Sequence, residues 1–212
     1  MRQYADSAAF WTRKSKSYAK SNVRDPDAYE HTLAETRAAL RPEDRVLELG
    51  CGTGTTALRL ADAAGSYLAA DISDGMIEIA RGKAAQSGAD VQFAVSDTAQ
   101  APDGPFDKVL AFNLLHLLPD LESALQDIHA RLAPGGVMIS KTVCAPDGRA
   151  SVFFRVMMGL LPLLQRVGQA PFVSIRAVAE LEAMIRAAGF DIERSENHNE
   201  GPPSRFIVAR KP

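Results

Sequence analysis

The sequence predicts an α/β fold: a mostly parallel sheet with helices on both faces. Three observations predict it. From Arg45 onward, short apolar runs alternate with stretches of helical periodicity. Those runs are continuously apolar, as in strands buried on both faces. The chain then closes on two strand-like runs with no helix between them, so one of them lies antiparallel.

The elements follow in order. Residues 1–20 read as a helix carrying Phe10, Trp11 and Tyr18 among basic side chains. Asp25-Pro26 supplies an N-cap and a first-turn proline, and Tyr29, Leu33 and Leu40 keep helical spacing up to Arg41-Pro42. Val46-Leu47-Glu48-Leu49 is the first strand, followed by a helix over 54–64. A strand over 67–71 and a helix over 74–86 come next, then strands over 91–95 and 108–112. A helix over 121–132 precedes the turn Pro134-Gly135-Gly136 and a fifth strand over 137–140. The spacing predicts a helix over 174–188 ending at Gly189, then strands over 190–194 and 205–209 joined by a loop over 197–204.

Composition narrows the function. A chain of 212 residues with 46% hydrophobic content suits one globular domain. A net charge of −2 gives no reason to expect nucleic acid as a partner. Cys51 and Cys144 are lone cysteines, which fits a reducing, cytoplasmic setting. The N-terminus lacks the layout of a signal peptide. The apolar stretch over 152–167 is broken by Arg155, Gly159, Pro162, Gln165 and Arg166, so membrane insertion is not expected. No His/Asp/Glu group shows metal-ligand spacing, and no metal is implied.

The chemistry concentrates in Glu48-Leu49-Gly50-Cys51-Gly52-Thr53-Gly54, between the first strand and its helix. Alternate glycines allow a sharp turn and let a ligand approach the main chain. The segment is also consistent with a tight turn alone. A dinucleotide fingerprint fits poorly: Thr55 stands where a third small residue is wanted, and the Glu48 carboxylate would repel a pyrophosphate. Asp71 closes the second strand, where an acid can accept from both hydroxyls of a ribose. Asp97 follows the third strand, where a carboxylate can take a proton from an adenine amino group.

These residues resemble the class I S-adenosylmethionine-dependent methyltransferases. The glycine loop looks like that family's signature loop, and Asp71, Asp97, the run from Phe106 to Leu118, the Pro134-Gly135-Gly136 turn and Ala188-Gly189-Phe190 match its landmarks in order. The resemblance implies a Rossmann-like, seven-stranded sheet with an antiparallel C-terminal strand, and S-adenosylmethionine as cofactor. It divides the chain into a helical cover (1–42), a cofactor-binding core (43–145), an acceptor-side insertion (146–175) and a C-terminal helix and hairpin (176–212). It implies that Gly50, Cys51, Gly52, Thr53 and Gly54 hold the methionine portion beside Glu48, and that Asp71 holds the ribose. Ile72 packs on adenine, Asp97 and Thr98 meet its edge, and Asn113 faces the methionine end or the acceptor. Trp11 and Tyr18 are lid residues over the cofactor or anchors of their helix.

Methyl transfer from a sulfonium needs alignment more than a protein nucleophile. His116 stands where a general base would act, if the acceptor must lose a proton; His31, His129 and His198 read as structural. Asn113-Leu114-Leu115-His116 replaces the Asn/Asp-Pro-Pro-aromatic tetrad of DNA adenine enzymes, which leaves a small-molecule acceptor. Arg13, Lys14, Lys16 and Lys20 read as a solvated helix face. Residues 152–164, with Phe154 and Met158 one helical turn apart, form an apolar acceptor pocket, pack on the sheet or join a homodimer. The alternative to an enzyme is a non-catalytic S-adenosylmethionine-binding subunit.

Overall fold

The computed structural model describes residues 2–146, 152–198 and 204–212, with side chains from residue 6 onward except over 152–158. Phe154 and Met158 therefore belong to a described backbone helix, and their side chains lie outside the described residues.

The strands are β1 (Arg45–Leu49), β2 (Ser66–Asp71), β3 (Gln92–Val95), β4 (Phe106–Phe112), β5 (Leu132–Val143), β6 (Asp191–Asn197) and β7 (Ser204–Arg210). They form one sheet in the order β3-β2-β1-β4-β5-β7-β6. Pairing is parallel from β3 through β5, while β7 is antiparallel to both β5 and β6. The strand order reverses between β1 and β4. In open α/β sheets a crevice opens at such a point, outside the carboxyl ends of the strands.

The helices are α1 (Arg2–Tyr18), α2 (Pro26–Ala39), α3 (Thr55–Leu60), α4 (Asp74–Ser87), α5 (Leu121–Arg131), α6 (Val152–Arg166) and α7 (Val178–Ala187). Side chains alternate across each strand. Leu47, Leu49, Val109 and Met138 thus meet Leu125 and Ile128 of α5 and Leu181 and Ile185 of α7 on one face. Val46, Leu110 and Ile139 meet Leu33 of α2, Leu60 of α3 and Ile77 of α4 on the other. Among the described residues no helix is long and apolar enough to cross a membrane.

Several boundaries differ from expectation, two of them for a tertiary reason that the hydrogen bonds show. The helix expected over 174–188 starts only at Val178. The Ser174 N–H donates to the His116 carbonyl and the Arg176 carbonyl accepts from Ala145, both at 2.8 Å, which draws this segment out of a helical turn. The helix expected over 54–64 stops at Leu60 and tightens into a 3₁₀ turn, Ala61–Ala63. β5 runs far beyond 137–140, because β7 pairs with it from Val137 to Val143 and Lys211 exchanges backbone bonds with Gly135 and Gly136.

α1 packs on the start of α4. Thr12 Oγ1 donates to Asp74 Oδ1 at 2.6 Å and lies 3.0 Å from Ser73 Oγ. A Cβ on Gly75 would stand 2.9 Å from Ser15 Oγ and 3.3 Å from the Thr12 carbonyl, so the two helices approach closely here. On the opposite side, buried Arg131 holds the loop after β3: Nη2 donates to the carbonyls of Ala99 and Ala101 at 2.8 and 3.1 Å. Arg131→Met should cost about 2–3 kcal/mol, since bonds to a charged donor contribute most. The melting temperature should fall by roughly 4–10 °C; an unchanged urea midpoint would show that the loop does not depend on it.

Candidate functional site

The crevice at the strand-order reversal holds a cavity of about 920 Å³, within the size range of small-molecule sites. Its floor is the loop after β1. Gly50, Gly52 and Gly54 all have left-handed backbone, with φ of 69°, 54° and 74°. Their surroundings differ. A Cβ on Gly50 would strike Leu114 at 2.8 Å and one on Gly54 would strike Ala80 at 2.9 Å, whereas one on Gly52 would meet only Tyr18, at 3.7 Å. Gly50 and Gly54 thus let the loop pack, and Gly52 keeps the main chain open to the cavity.

The loop is tied to β2. The Cys51 N–H donates to the Ala70 carbonyl at 3.0 Å. The Gly52 N–H donates to Asp71 Oδ2 and the Ser73 N–H to Asp71 Oδ1, each at 2.9 Å. A carboxylate has about four acceptor positions, so Asp71 retains capacity toward the cavity that it lines. Burial raises its pKa, and the two N–H bonds oppose that rise.

Glu48 is buried at 2% exposure and accepts from the Tyr67 hydroxyl at 2.8 Å. Burial pushes its pKa up to about 7; the tyrosine bond works against this and the nearby Asp71 charge adds to it. Cys51 is buried beside both acids, which holds its thiol protonated and unsuited to attack. Thr53 Oγ1 accepts from Lys83 Nζ at 3.0 Å. Ile72, Asp97 and Thr98 line the next part of the wall. Asp97 Oδ1 accepts the Gln100 N–H at 2.8 Å, and the buried Ser96 Oγ has no hydrogen-bond partner among the described residues.

At the other end, Asn113 is held at φ 54°, and its N–H donates to the Lys141 carbonyl at 2.6 Å. Asparagine is among the few side chains that tolerate this conformation. His116 lies in a 3₁₀ turn, Leu115–Leu117. Thr142 Oγ1 accepts its N–H at 3.2 Å and lies 2.9 Å from its Nδ1. Assigned from this pattern, the threonine hydrogen points at Nδ1 and the ring presents Nε2–H. Burial lowers the His116 pKa to about 4.

The expected cofactor residues other than Gly54, together with His116, therefore line one cavity, as do Trp11 and Tyr18, while Gly54 packs against Ala80 and Phe93 behind the loop. The aromatic rings of Trp11 and Tyr18 meet edge to face at 6.1 Å. Several lining residues escaped the sequence reading. Lys141 reaches over from β5 and donates to Thr32 Oγ1 at 2.8 Å and the Ala28 carbonyl at 3.2 Å, with no ion pair among the described residues. Burial lowers its pKa. Pro171, Phe172 and Val173, just beyond α6, supply apolar wall. A basic residue in a strand and an apolar triplet in a loop carry no local signature of a site.

Comparison with known proteins agrees with this geometry. The family described as "Methyltransferase domain" matches residues 46–136. The chain is 34% identical over 165 residues to a demethylmenaquinone methyltransferase of Thermus thermophilus, covering 70% of this chain and 74% of that protein. It is 30% identical over 165 residues to a ubiquinone biosynthesis O-methyltransferase of Thiobacillus denitrificans, covering 75% and 69%. The fold is similar to that of magnesium protoporphyrin IX methyltransferase from Synechocystis PCC 6803, solved with bound SAH (TM-score 0.73, 21% identity, 100% and 98% covered). From the loop after β1 to the antiparallel β7, the chain belongs to the class I S-adenosylmethionine-dependent methyltransferase family.

Proposed function

We propose that the enzyme transfers the methyl group of S-adenosylmethionine to an ionisable oxygen on a largely apolar small molecule. One observation carries this reading: the cavity is acidic at the glycine loop and is also lined by an ammonium, Lys141, that has no ion pair among the described residues. The residues present fit the cofactor. Gly52 leaves main chain bare to the cavity, Asp71 keeps acceptor capacity for two ribose hydroxyls, and the unpartnered Ser96 Oγ awaits a polar neighbour. Asp97 and Thr98 would meet the adenine edge and Ile72 its face, while Glu48 favours the positive end of the methionine portion. Asn113 borders the methionine end and Tyr18 covers Gly52.

When bound, the cofactor supplies an electrophilic methyl carbon on a sulfonium, so the protein's task is alignment and exclusion of water. Lys141 would bind the acceptor oxygen in its ionised form, the proton having left to solvent on binding. Phe172, Val173 and Leu117 would hold the apolar body. The O-methyltransferase among the relatives supports an oxygen acceptor. His116 would donate its Nε2–H to the acceptor as a positioning residue. Taking up a proton would charge a ring whose burial disfavours charge, so we do not assign it the role of base. The acceptor-pocket role expected for Phe154 and Met158 stays a proposal, and the segment just beyond α6 would add apolar wall to it.

Three outcomes are expected. With methyl-labelled cofactor and a panel of apolar phenols, labelled ethers should form. Lys141→Met should lower kcat/KM at least tenfold, as for a lost charge-assisted bond of about 1.5–3 kcal/mol, with cofactor affinity within twofold of wild type. Cofactor binding without any turnover would indicate the non-catalytic subunit instead.

His116→Asn should lower kcat less than tenfold and leave the pH profile without a lost limb; a general base contributes roughly 10²–10⁴-fold, and a loss of that size would restore the base assignment.

Glu48 sets a pH dependence of stability. Its folded-state pKa is raised from 4.5 to about 7, so the folded chain binds more protons than the unfolded one between those values. Its contribution is present in full below pH 4.5 and is lost as pH rises through about 7. Without cofactor, Glu48→Gln should remove this decline, and parallel melting curves across that window would refute it.

A further inference from the structure

Outside the cavity, three side chains distant in sequence converge. His31 projects from α2, Glu196 belongs to β6, and His198 follows it. Ligand-type atoms of all three lie within 4.8 Å of one another. His198 is buried at 6% exposure and stacks on Phe206 with centroids 4.3 Å apart and rings tilted 15°; the His31 ring lies 4.3 Å from it as well.

The hydrogen bonds around His198 decide which of its nitrogens is bare. Thr32 Oγ1 stands 2.7 Å from the Ala28 carbonyl, which can only accept, so the threonine hydrogen goes there. Lys141 Nζ donates to the same hydroxyl oxygen at 2.8 Å. His198 Nδ1, 3.0 Å from that oxygen, must therefore carry a hydrogen and donate it. In the neutral ring this leaves the Nε2 lone pair aimed at Glu196 Oε1, 3.0 Å away. Two acceptors then face each other unless a proton or a metal ion lies between them.

We propose that His31, Glu196 and His198 form a binding site for a divalent cation of the zinc type. Nδ1–H donation to an oxygen is the usual way a ligating histidine is fixed in orientation and tautomer. Ligands bound at about 2.0–2.2 Å on a tetrahedral zinc stand roughly 3.4 Å apart. His198 and Glu196 already approximate that spacing, and exposed His31 is free to close on them by rotation. Three protein ligands leave the fourth position to water. Glu196 Oε1, which faces His198 Nε2 at 3.0 Å, is the ligand atom, and it also accepts from Arg194 Nη2 at 2.5 Å. Arg194 is also paired with Glu35 at 2.6 Å, which sets two carboxylates against one guanidinium around the site. The bound ion would clamp α2 to β6 and hold Thr32, and through it Lys141, against the cavity.

The site does not depend on the methyltransferase reading, and its test needs no turnover. The metal-free, untagged full chain is titrated calorimetrically with zinc chloride, and with cobalt(II) as a spectroscopic probe. One equivalent should bind, raise the melting temperature and give the strong visible absorption of four-coordinate cobalt. His31→Ala, at an exposed position, should fold normally, retain S-adenosylmethionine affinity and lose zinc affinity roughly tenfold or more. Glu196→Gln should do the same. Absence of one-equivalent binding, or His31→Ala binding zinc as the wild type does, would overturn the proposal and leave His198 and Glu196 as a protonated ion pair.

Discussion

Two main-chain N–H groups, from Gly52 and Ser73, converge on the two oxygens of Asp71, and the arrangement of the site follows from that knot. It joins the loop after β1 to the turn after β2 and so fixes the left-handed course of the glycine loop, to which the Lys83–Thr53 bond adds. The Ala70 carbonyl adds a bond from the Cys51 N–H just beyond the end of β1. Crowding completes the restraint, since Leu114 closes on Gly50 while Ala80 and Phe93 close on Gly54. Cavity access is left at Gly52, where a Cβ would meet only Tyr18, at 3.7 Å. Such a loop is ordered before a ligand arrives, which limits the entropy lost on binding.

The second organising feature is charge separation within a half-buried space. Glu48 and Asp71 are buried acids whose charge is disfavoured by desolvation, whereas Lys141 is a half-buried base disfavoured for the same reason. Each group is therefore poised to gain from a ligand of opposite sign. A cationic ligand end at the loop and an anionic oxygen near Lys141 would relieve both costs at once. Bringing the reactants together through charges already present in the walls is the kind of alignment that an in-line transfer needs.

The N-terminal helices are tied to the rest of the site at several points. α1 is locked to the start of α4 through Thr12, Ser73 and Asp74, and its Tyr18 reaches over Gly52. α2 supplies Thr32, whose hydroxyl is shared between the Lys141 ammonium and the His198 ring. The cavity and the histidine cluster behind it thus use one threonine as a common wall.

Much of this was legible in the amino-acid order. Continuous apolar runs, the Asp25-Pro26 start and the alternate glycines act over a few residues, so their spacing alone determined the strands, most helix starts and the loop with Asp71 at the end of the next strand. The antiparallel closing strand also followed from two runs with no helix between them. Tertiary structure decided what depends on partners far along the chain. Ser174 left its expected helix because its N–H found the His116 carbonyl. The surroundings of His116 were set the same way, by Thr142 twenty-six residues on, whose hydroxyl meets both its N–H and its Nδ1. Lys141, Thr32, His31, Glu196 and His198 come from α2, β5 and the end of β6, and none has a neighbour in sequence that announces its role. Local periodicity reports which face of an element is buried; which side chains meet, and with what charge, is determined only when the sheet order brings their elements together.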